Sequence, residues 1–200
     1  MHPRLISMNL QKQIKSKLTV SDSIWKPLNA EDHQEIPQPL RNWLIDTGSL
    51  TAKLRSACTE FSVHLISQTQ RVATSREAGL LALEENDQLI DREVQLYCGT
   101  TPVVYARSLI PVKALHDRFE GLDSMGEKPL GEKIFSDPQL DRSPIEWGRL
   151  TSNHVLFDHA MENVGAVPDY IFGRRSLFHG AEKPILISEF FLPAITGLMN

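Results

Sequence analysis

The chain of 200 residues is 41% hydrophobic, with a formal net charge of -4 and a pI near 6.0. That suits one globular domain able to bury a core and a small-molecule pocket, and is short for two full domains. The acidic balance supplies no broad basic field, so no nucleic-acid partner is expected. No run of about 18 residues is apolar enough to cross a bilayer, and the N-terminal MHPRLISMNLQKQIKSKL lacks the continuous apolar stretch of a secretory signal. The chain therefore reads as soluble and cytoplasmic, without membrane insertion.

In chain order, residues 1–36 are polar and end in NAEDHQEIPQP, which predicts a weakly structured arm before a domain spanning 37–200. From Pro37, PQPLRNWLIDTGSLTAKL predicts a helix, a turn at Thr47-Gly48 and a second helix capped by Ser49 or Thr51. EFSVHLISQTQRVA alternates as a strand, and QLIDREVQLYCGTTPVVYARSLIP reads as two strands joined by a tight turn. VKALHDRF and KPLGEKIF are short helical stretches, and SPIEWGRLT is a further strand; 152–168 is too irregular to assign. DYIFGRRSLFH and KPILISEFFLP form a final hairpin. Hairpin-linked strands with helices grouped between them predict an α+β domain on a largely antiparallel sheet.

The chemistry concentrates where charges fall on apolar faces. In KPILISEFFLPAI, strand alternation puts Glu189 with Ile185, Ile187 and Phe191. A carboxylate there needs a partner, a hydrogen bond or a proton. Gly99-Thr100 fits a two-residue type II′ turn, which sets Cys98 against Thr101 and, counting back, Arg92 against Arg107 on a face shared with Val94, Leu96, Val103 and Tyr105. Two facing arginines repel unless an anion lies between them. Either they snorkel or pair with Glu189 structurally, or they form a cradle for a carboxylate, to which the guanidinium fork is suited.

Other constellations are weaker. Cys58 and Cys98 have no metal-like spacing and read as reduced thiols, with one disulfide as the other reading. His154 and His159 lie five apart and do not stack on one helical face, so no metal site is expected. No phosphate-binding glycine loop and no GxSxG occur. Arg174 and Arg175 alternate faces of a strand, so at most one is expected to point inward and the other to be solvated. Trp43 reads as core. Leu50 and Leu130 are by default ordinary core leucines, though both lie on short helical hairpins able to act as lids.

Taken in order, WLIDTGSLTAKL, REVQLY, YARSLIPV, KPLGEKIF, FGRRS and KPILISEFFLPA resemble the chorismate pyruvate-lyase family over about residues 37–195. The ordered set is far more specific than any member of it. The resemblance implies an antiparallel sheet with a ligand site enclosed under two helix-turn-helix flaps. It also implies conversion of chorismate to 4-hydroxybenzoate and pyruvate, the first step toward the ubiquinone ring, with no cofactor. By motif, the family's carboxylate-binding arginine falls on Arg92, its essential acid on Glu189, and its flap contacts on Leu50 and Leu130. Arg107 is added by the register argument alone, as a helper for one of the two substrate carboxylates. Two arginines balance a dianionic substrate, so this count expects Glu189 to hold its proton in the complex and donate it to a substrate oxygen. A monomer is expected. The rival reading is a non-catalytic aromatic-acid sensor on the same fold, for which residues 1–36 are too short to form the usual DNA-binding domain.

Overall fold

The computed structural model describes residues 24–116 and 118–198. Eight strands among them form one antiparallel sheet: β1 (Lys26–Pro27), β2 (Phe61–Val72), β3 (Gln88–Cys98), β4 (Thr101–Pro111), β5 (Asp141–Arg142), β6 (Glu146–Thr151), β7 (Tyr170–His179) and β8 (Ile185–Phe191). The spatial order is β1-β6-β7-β8-β4-β3-β2, with β5 also paired to β7. The helices are α1 (Gln38–Leu44), α2 (Leu50–Ala57), α3 (Ser75–Leu80), α4 (Leu130–Ser136) and α5 (Val155–Ala160). The α+β class expected from the hairpin pattern is the one observed.

Local chemistry accounts for the helical hairpin. Pro37 precedes α1 and Pro39 lies inside its first turn, where a missing N–H costs nothing. Ser49 caps α2, its Oγ accepting from the Ala52 N–H at 3.3 Å. Of VKALHDRF, Val112–Leu115 wind as a short 3-10 turn, and the unassigned stretch 152–168 contains α5, begun by the His154 Nδ1 accepting from the Leu156 N–H.

The tight turn between β3 and β4 is as expected: Gly99 has φ +59°, and Cys98 pairs with Thr101. Beyond it the expected register fails. Tyr97 pairs with Pro102 but Leu96 pairs with Val104, so Val103 is an extra residue, a β-bulge. Every later β4 residue is displaced by one: Val94 faces Ala106 and Arg92 faces Ser108. A one-residue shift exchanges the faces of a strand. Arg107 and Tyr105 therefore lie on the face opposite Arg92, and the predicted Arg92–Arg107 pair does not exist.

Both faces of the sheet are covered. One carries Val94, Leu96, Val104, Phe172 and Phe191 against Trp43, Leu44, Leu50 and Leu54 of α1 and α2, and, toward its other end, Ile90, Ile110, Phe178 and Ile185 against Phe119, Leu130 and Ile134. The other packs Tyr105, Ile171 and Phe190 against Leu156, Phe157 and Ala160 of α5.

Two further expectations are corrected. The arm boundary at 37 falls inside packed structure: β1 pairs with β6, and Ile36 is wholly buried in the core beside Trp43. Residues 1–23 of that arm lie outside the described residues. Cys58 and Cys98 are not free thiols but form a disulfide with Cα atoms 5.3 Å apart. Linear spacing reports only local motifs; here β2 pairs Phe61 with Cys98 and so returns the end of α2 to the end of β3.

The far face also holds a charge network. Arg71 grips both carboxylate oxygens of Glu77 at 2.7 and 2.6 Å and reaches Asp91 at 2.7 Å, while Arg107 bonds Asp91 at 2.8 and 2.6 Å and Glu77 at 3.3 Å. Burial alone would raise the Glu77 pKa, but the Arg71 fork and the Thr74 N–H outweigh it and hold the group at about 2 against an ordinary 4.5. A carboxylate with a depressed folded-state pKa stabilises fully above its ordinary value and loses that contribution as pH falls toward the depressed one. Glu77→Gln is expected to lower stability at pH 7 by about 1–3 kcal/mol after allowance for solvent screening. Urea melts between pH 5 and pH 2 check this: relative to Glu77→Gln, the parent chain should lose its advantage as pH falls, and parallel curves would contradict the assignment.

Candidate active site

The bulge leaves small side chains, Ala106 and Ser108, where the larger Tyr105 and Arg107 were expected, and the sheet floor is hollow there. A cavity of about 600 Å³, counting its mouth, lies over this floor, lined by Val63, Arg92, Val94, Leu96, Ala106, Ser108, Phe178, Ile187 and Glu189 of the strands. Its roof comes from Leu50 and Thr51 at the start of α2, from Pro129, Leu130 and Gly131 at the start of α4, and from Phe135 and Arg142.

Four of the five sequence-predicted residues meet here. Arg92 is 2% exposed, and its Nη2 donates to the carbonyls of Gly126 at 2.8 Å and Lys128 at 3.0 Å. These bonds anchor the loop leading into α4. The Nε, though buried, has no partner, and no acid among the described residues lies within ion-pair distance. Burial pushes the Arg92 pKa down from its ordinary value, the mark of a cation without a counter-charge. Leu50 and Leu130 are the first residues of α2 and α4. The flaps touch closely: a Cβ on Gly131 would come within 2.8 Å of Thr51 Oγ1. Arg55 and Glu132 add an exposed ion pair across them at 2.7 Å.

Glu189 faces the cavity from β8, paired in register with Arg174 on β7 and Ala106 on β4. Its Oε2 accepts from Arg174 Nε at 2.6 Å. Arg174 is 1% exposed, and its Nη1 donates to the carbonyls of Trp43 at 2.9 Å, Leu44 at 3.4 Å and Asp46. One guanidinium thus satisfies the C-terminal carbonyls of α1 and orients the acid. The expectation that one of Arg174 and Arg175 is solvated is wrong. Arg175 is buried on the far face and bonds Glu146 at 2.7 Å.

The fifth predicted residue, Arg107, is held on the far face by Asp91 and Glu77. Alternation assuming a regular hairpin put it with Arg92; the local signal passed over is Pro102, beside the bulge, since proline within a central strand marks such irregularities. Sequence reasoning also missed Arg142, whose two-residue strand DR carries no periodic pattern. Among the described residues no cluster of three or more His, Cys, Asp or Glu side chains is placed to hold a metal ion. His159 is spent on Glu93 at 2.8 Å.

A family model described as chorismate lyase matches residues 19–197. The chain belongs to the chorismate lyase family. Curated relatives include proteins named "Probable chorismate pyruvate-lyase" from Nitrosomonas eutropha, 37% identical over 81% of this chain and 91% of the relative. One of the same name from Nitrosospira multiformis is 38% identical over 79% and 88%, respectively. The match begins well before residue 37, in keeping with the packing of β1 and Ile36. Solved structures share the fold: the effector domain of PhnF from Mycobacterium smegmatis superposes with a TM-score of 0.54 at 14% identity, over 74% of this chain and 90% of that one. The C-terminal domain of the histidine utilization repressor from Pseudomonas syringae gives 0.52 at 9% identity, over 68% and 93%.

The Arg174–Glu189 pair makes a stability prediction that needs no ligand. Arg174→Met leaves the partly buried Glu189 carboxylate and the α1 carbonyls without their shared donor and is expected to cost about 1–3 kcal/mol. Adding Glu189→Leu to that variant should recover part of the loss. Chemical denaturation of the two variants checks this, and a double variant less stable than Arg174→Met would show that the pair is not what the single change disrupts.

Proposed function

We propose that the chain converts chorismate to 4-hydroxybenzoate and pyruvate without a metal or organic cofactor, supplying the ring of ubiquinone. The observation that carries the reading is a single cavity holding both a buried guanidinium with no acidic partner among the described residues, Arg92, and an oriented carboxylate, Glu189, in a member of the chorismate lyase family.

Chorismate is a dianion with a ring carboxylate, an enolpyruvyl carboxylate and a C4 hydroxyl. Arg92 takes the ring carboxylate, a charge-assisted contact suited to its unpartnered Nε. Leu50 and Leu130, the first residues of α2 and α4, line the same cavity. From β3 to β8 is two strand spacings, about 10 Å, so side chains reaching inward from Arg92 and Glu189 span one six-membered ring. That spacing supports assigning Glu189 to the C4 hydroxyl.

The charge count differs from the one based on Arg92 and Arg107. Arg174 already neutralises Glu189, so the acid can act as a hydrogen-bond acceptor for the hydroxyl instead of a proton donor. In the reaction the C4–H bond breaks, its electron pair completes the aromatic ring as the C3–O bond cleaves, the ether oxygen becomes the ketone of pyruvate, and the proton ends on the former methylene. Transfer of that proton within the substrate, through a six-membered arrangement, requires only that the enolpyruvyl arm be folded over C4. Orientation of this kind is worth about 7–11 kcal/mol in favourable cases.

The test is ultraviolet detection of 4-hydroxybenzoate from purified protein and chorismate, with chelator present. Turnover should be insensitive to the chelator; Arg92→Ala and Glu189→Gln should each lower kcat/KM by roughly 100-fold or more, in line with the loss of a charged contact or a positioned polar group. Deuterium placed at C4 should appear in the pyruvate methyl group. Near-normal rates in both variants would remove the site assignment, and tight binding of 4-hydroxybenzoate without any turnover would favour the sensor reading.

A further inference from the structure

Two guanidiniums, those of Arg92 and Arg142, end one row of side chains across the floor of the cavity. Register places Arg92 of β3 opposite Ser108 of β4, Ser108 opposite Ile187 of β8, and Ile187 opposite Ser176 of β7. Arg142 of β5 sits beside Phe178 and reaches back to this row, its Nε donating to Ser176 Oγ at 3.1 Å. Its Nη1 donates to the Thr47 carbonyl at 2.9 Å, in the turn between α1 and α2. The guanidinium lies 5.4 Å from the ring centroid of Phe178 and 5.9 Å from that of Phe135.

Like Arg92, Arg142 lines the cavity and has no carboxylate within ion-pair distance among the described residues. Every other strand arginine facing inward or packed on the far face, Arg71, Arg107, Arg174 and Arg175, has one. Two aromatic rings and two neutral acceptors hold its plane without neutralising it. Burial, followed by the neighbouring Arg174 charge, pushes its pKa below the ordinary arginine value, against the smaller opposing effects of Glu189 and Asp46. A cation kept in that state is a site for an anion.

We propose that Arg142 binds the enolpyruvyl carboxylate of chorismate, the second of the two charges, in the role that a regular hairpin would have assigned to Arg107. This rests on the reading of the cavity as a chorismate site. The geometry agrees with the substrate: the enolpyruvyl ether is on C3, next to the C4 hydroxyl, and Arg142 acts at the Ser176–Ile187 position, on the same face as the Arg174–Glu189 pair and the next cross-strand pair along it. Holding the carboxylate there would fold the arm over the ring. Because Arg142 also bonds the Thr47 carbonyl, a bound carboxylate and the α1–α2 flap would share one guanidinium.

The product 4-hydroxybenzoate keeps the ring carboxylate and the hydroxyl but has lost the enolpyruvyl group. Arg142→Gln should therefore weaken chorismate and spare 4-hydroxybenzoate. We expect KM for chorismate to rise about 10- to 100-fold, the usual scale for a lost charged hydrogen bond, while the Kd of 4-hydroxybenzoate by calorimetry changes less than about threefold. Arg142→Lys should recover part of the chorismate loss. Equal weakening of both ligands would show that Arg142 only braces the flap, and no effect on either would remove it from the site; both overturn the proposal. If the parent chain binds both compounds without releasing 4-hydroxybenzoate, the lyase reading fails while the ratio of the two Kd values still decides the role of Arg142. A parent chain that binds neither overturns both.

Discussion

One extra residue in β4 governs the site. With Val103 bulged between Pro102 and Val104, the cavity face receives Val104, Ala106, Ser108 and Ile110, and Tyr105 and Arg107 turn to the other side. Without the bulge, a tyrosine and an arginine would occupy the volume over Ile187 and Glu189. The same displacement supplies the far face with a second cation that, with Arg71, neutralises Asp91 and Glu77. A hollow on one face and a satisfied charge network on the other have a common geometric origin.

The second constraint is the tie between Glu189 and the helical roof. Arg174 links the acid on β8 to the carbonyl end of α1 through a single planar group. Arg92 does the same toward the loop before α4, through the carbonyls of Gly126 and Lys128. Arg142 does so toward the turn after α1. Each guanidinium has one edge on the backbone of a flap. A ligand bound by the other edge of Arg92 or Arg142 would thus meet a cation whose position is set by the roof.

The cavity is also polarised by what its arginines lack. Among the described residues Arg174 has a carboxylate partner and Arg92 and Arg142 do not, so a net positive charge remains in a largely apolar enclosure. Leaving such cations unpaired costs stability. An anionic ligand offsets that cost, and it is here that the family membership and the physical reading converge on a small dicarboxylate.

Much of this was legible in the chain. The hairpins, the turn at Gly99, the Ser49 cap, the antiparallel α+β class and the cavity positions of Arg92, Glu189, Leu50 and Leu130 follow from patterns local in sequence or from ordered motifs. What failed was non-local. The bulge depends on how β3 and β4 fit neighbours on both sides, so it flipped Arg107 against a correct turn assignment; the disulfide and the packing of Ile36 depend on strands pairing far apart in sequence. Arg174 and Arg142 have no periodicity that marks them as members of a site, because each is defined by a carbonyl or carboxylate contributed by a distant segment. Composition and alternation determined which elements form and which residues are chemically out of place on them. Only the tertiary structure decided which face each charge occupies and what it meets there, since a one-residue change of register is invisible to local propensity and reverses every side chain that follows.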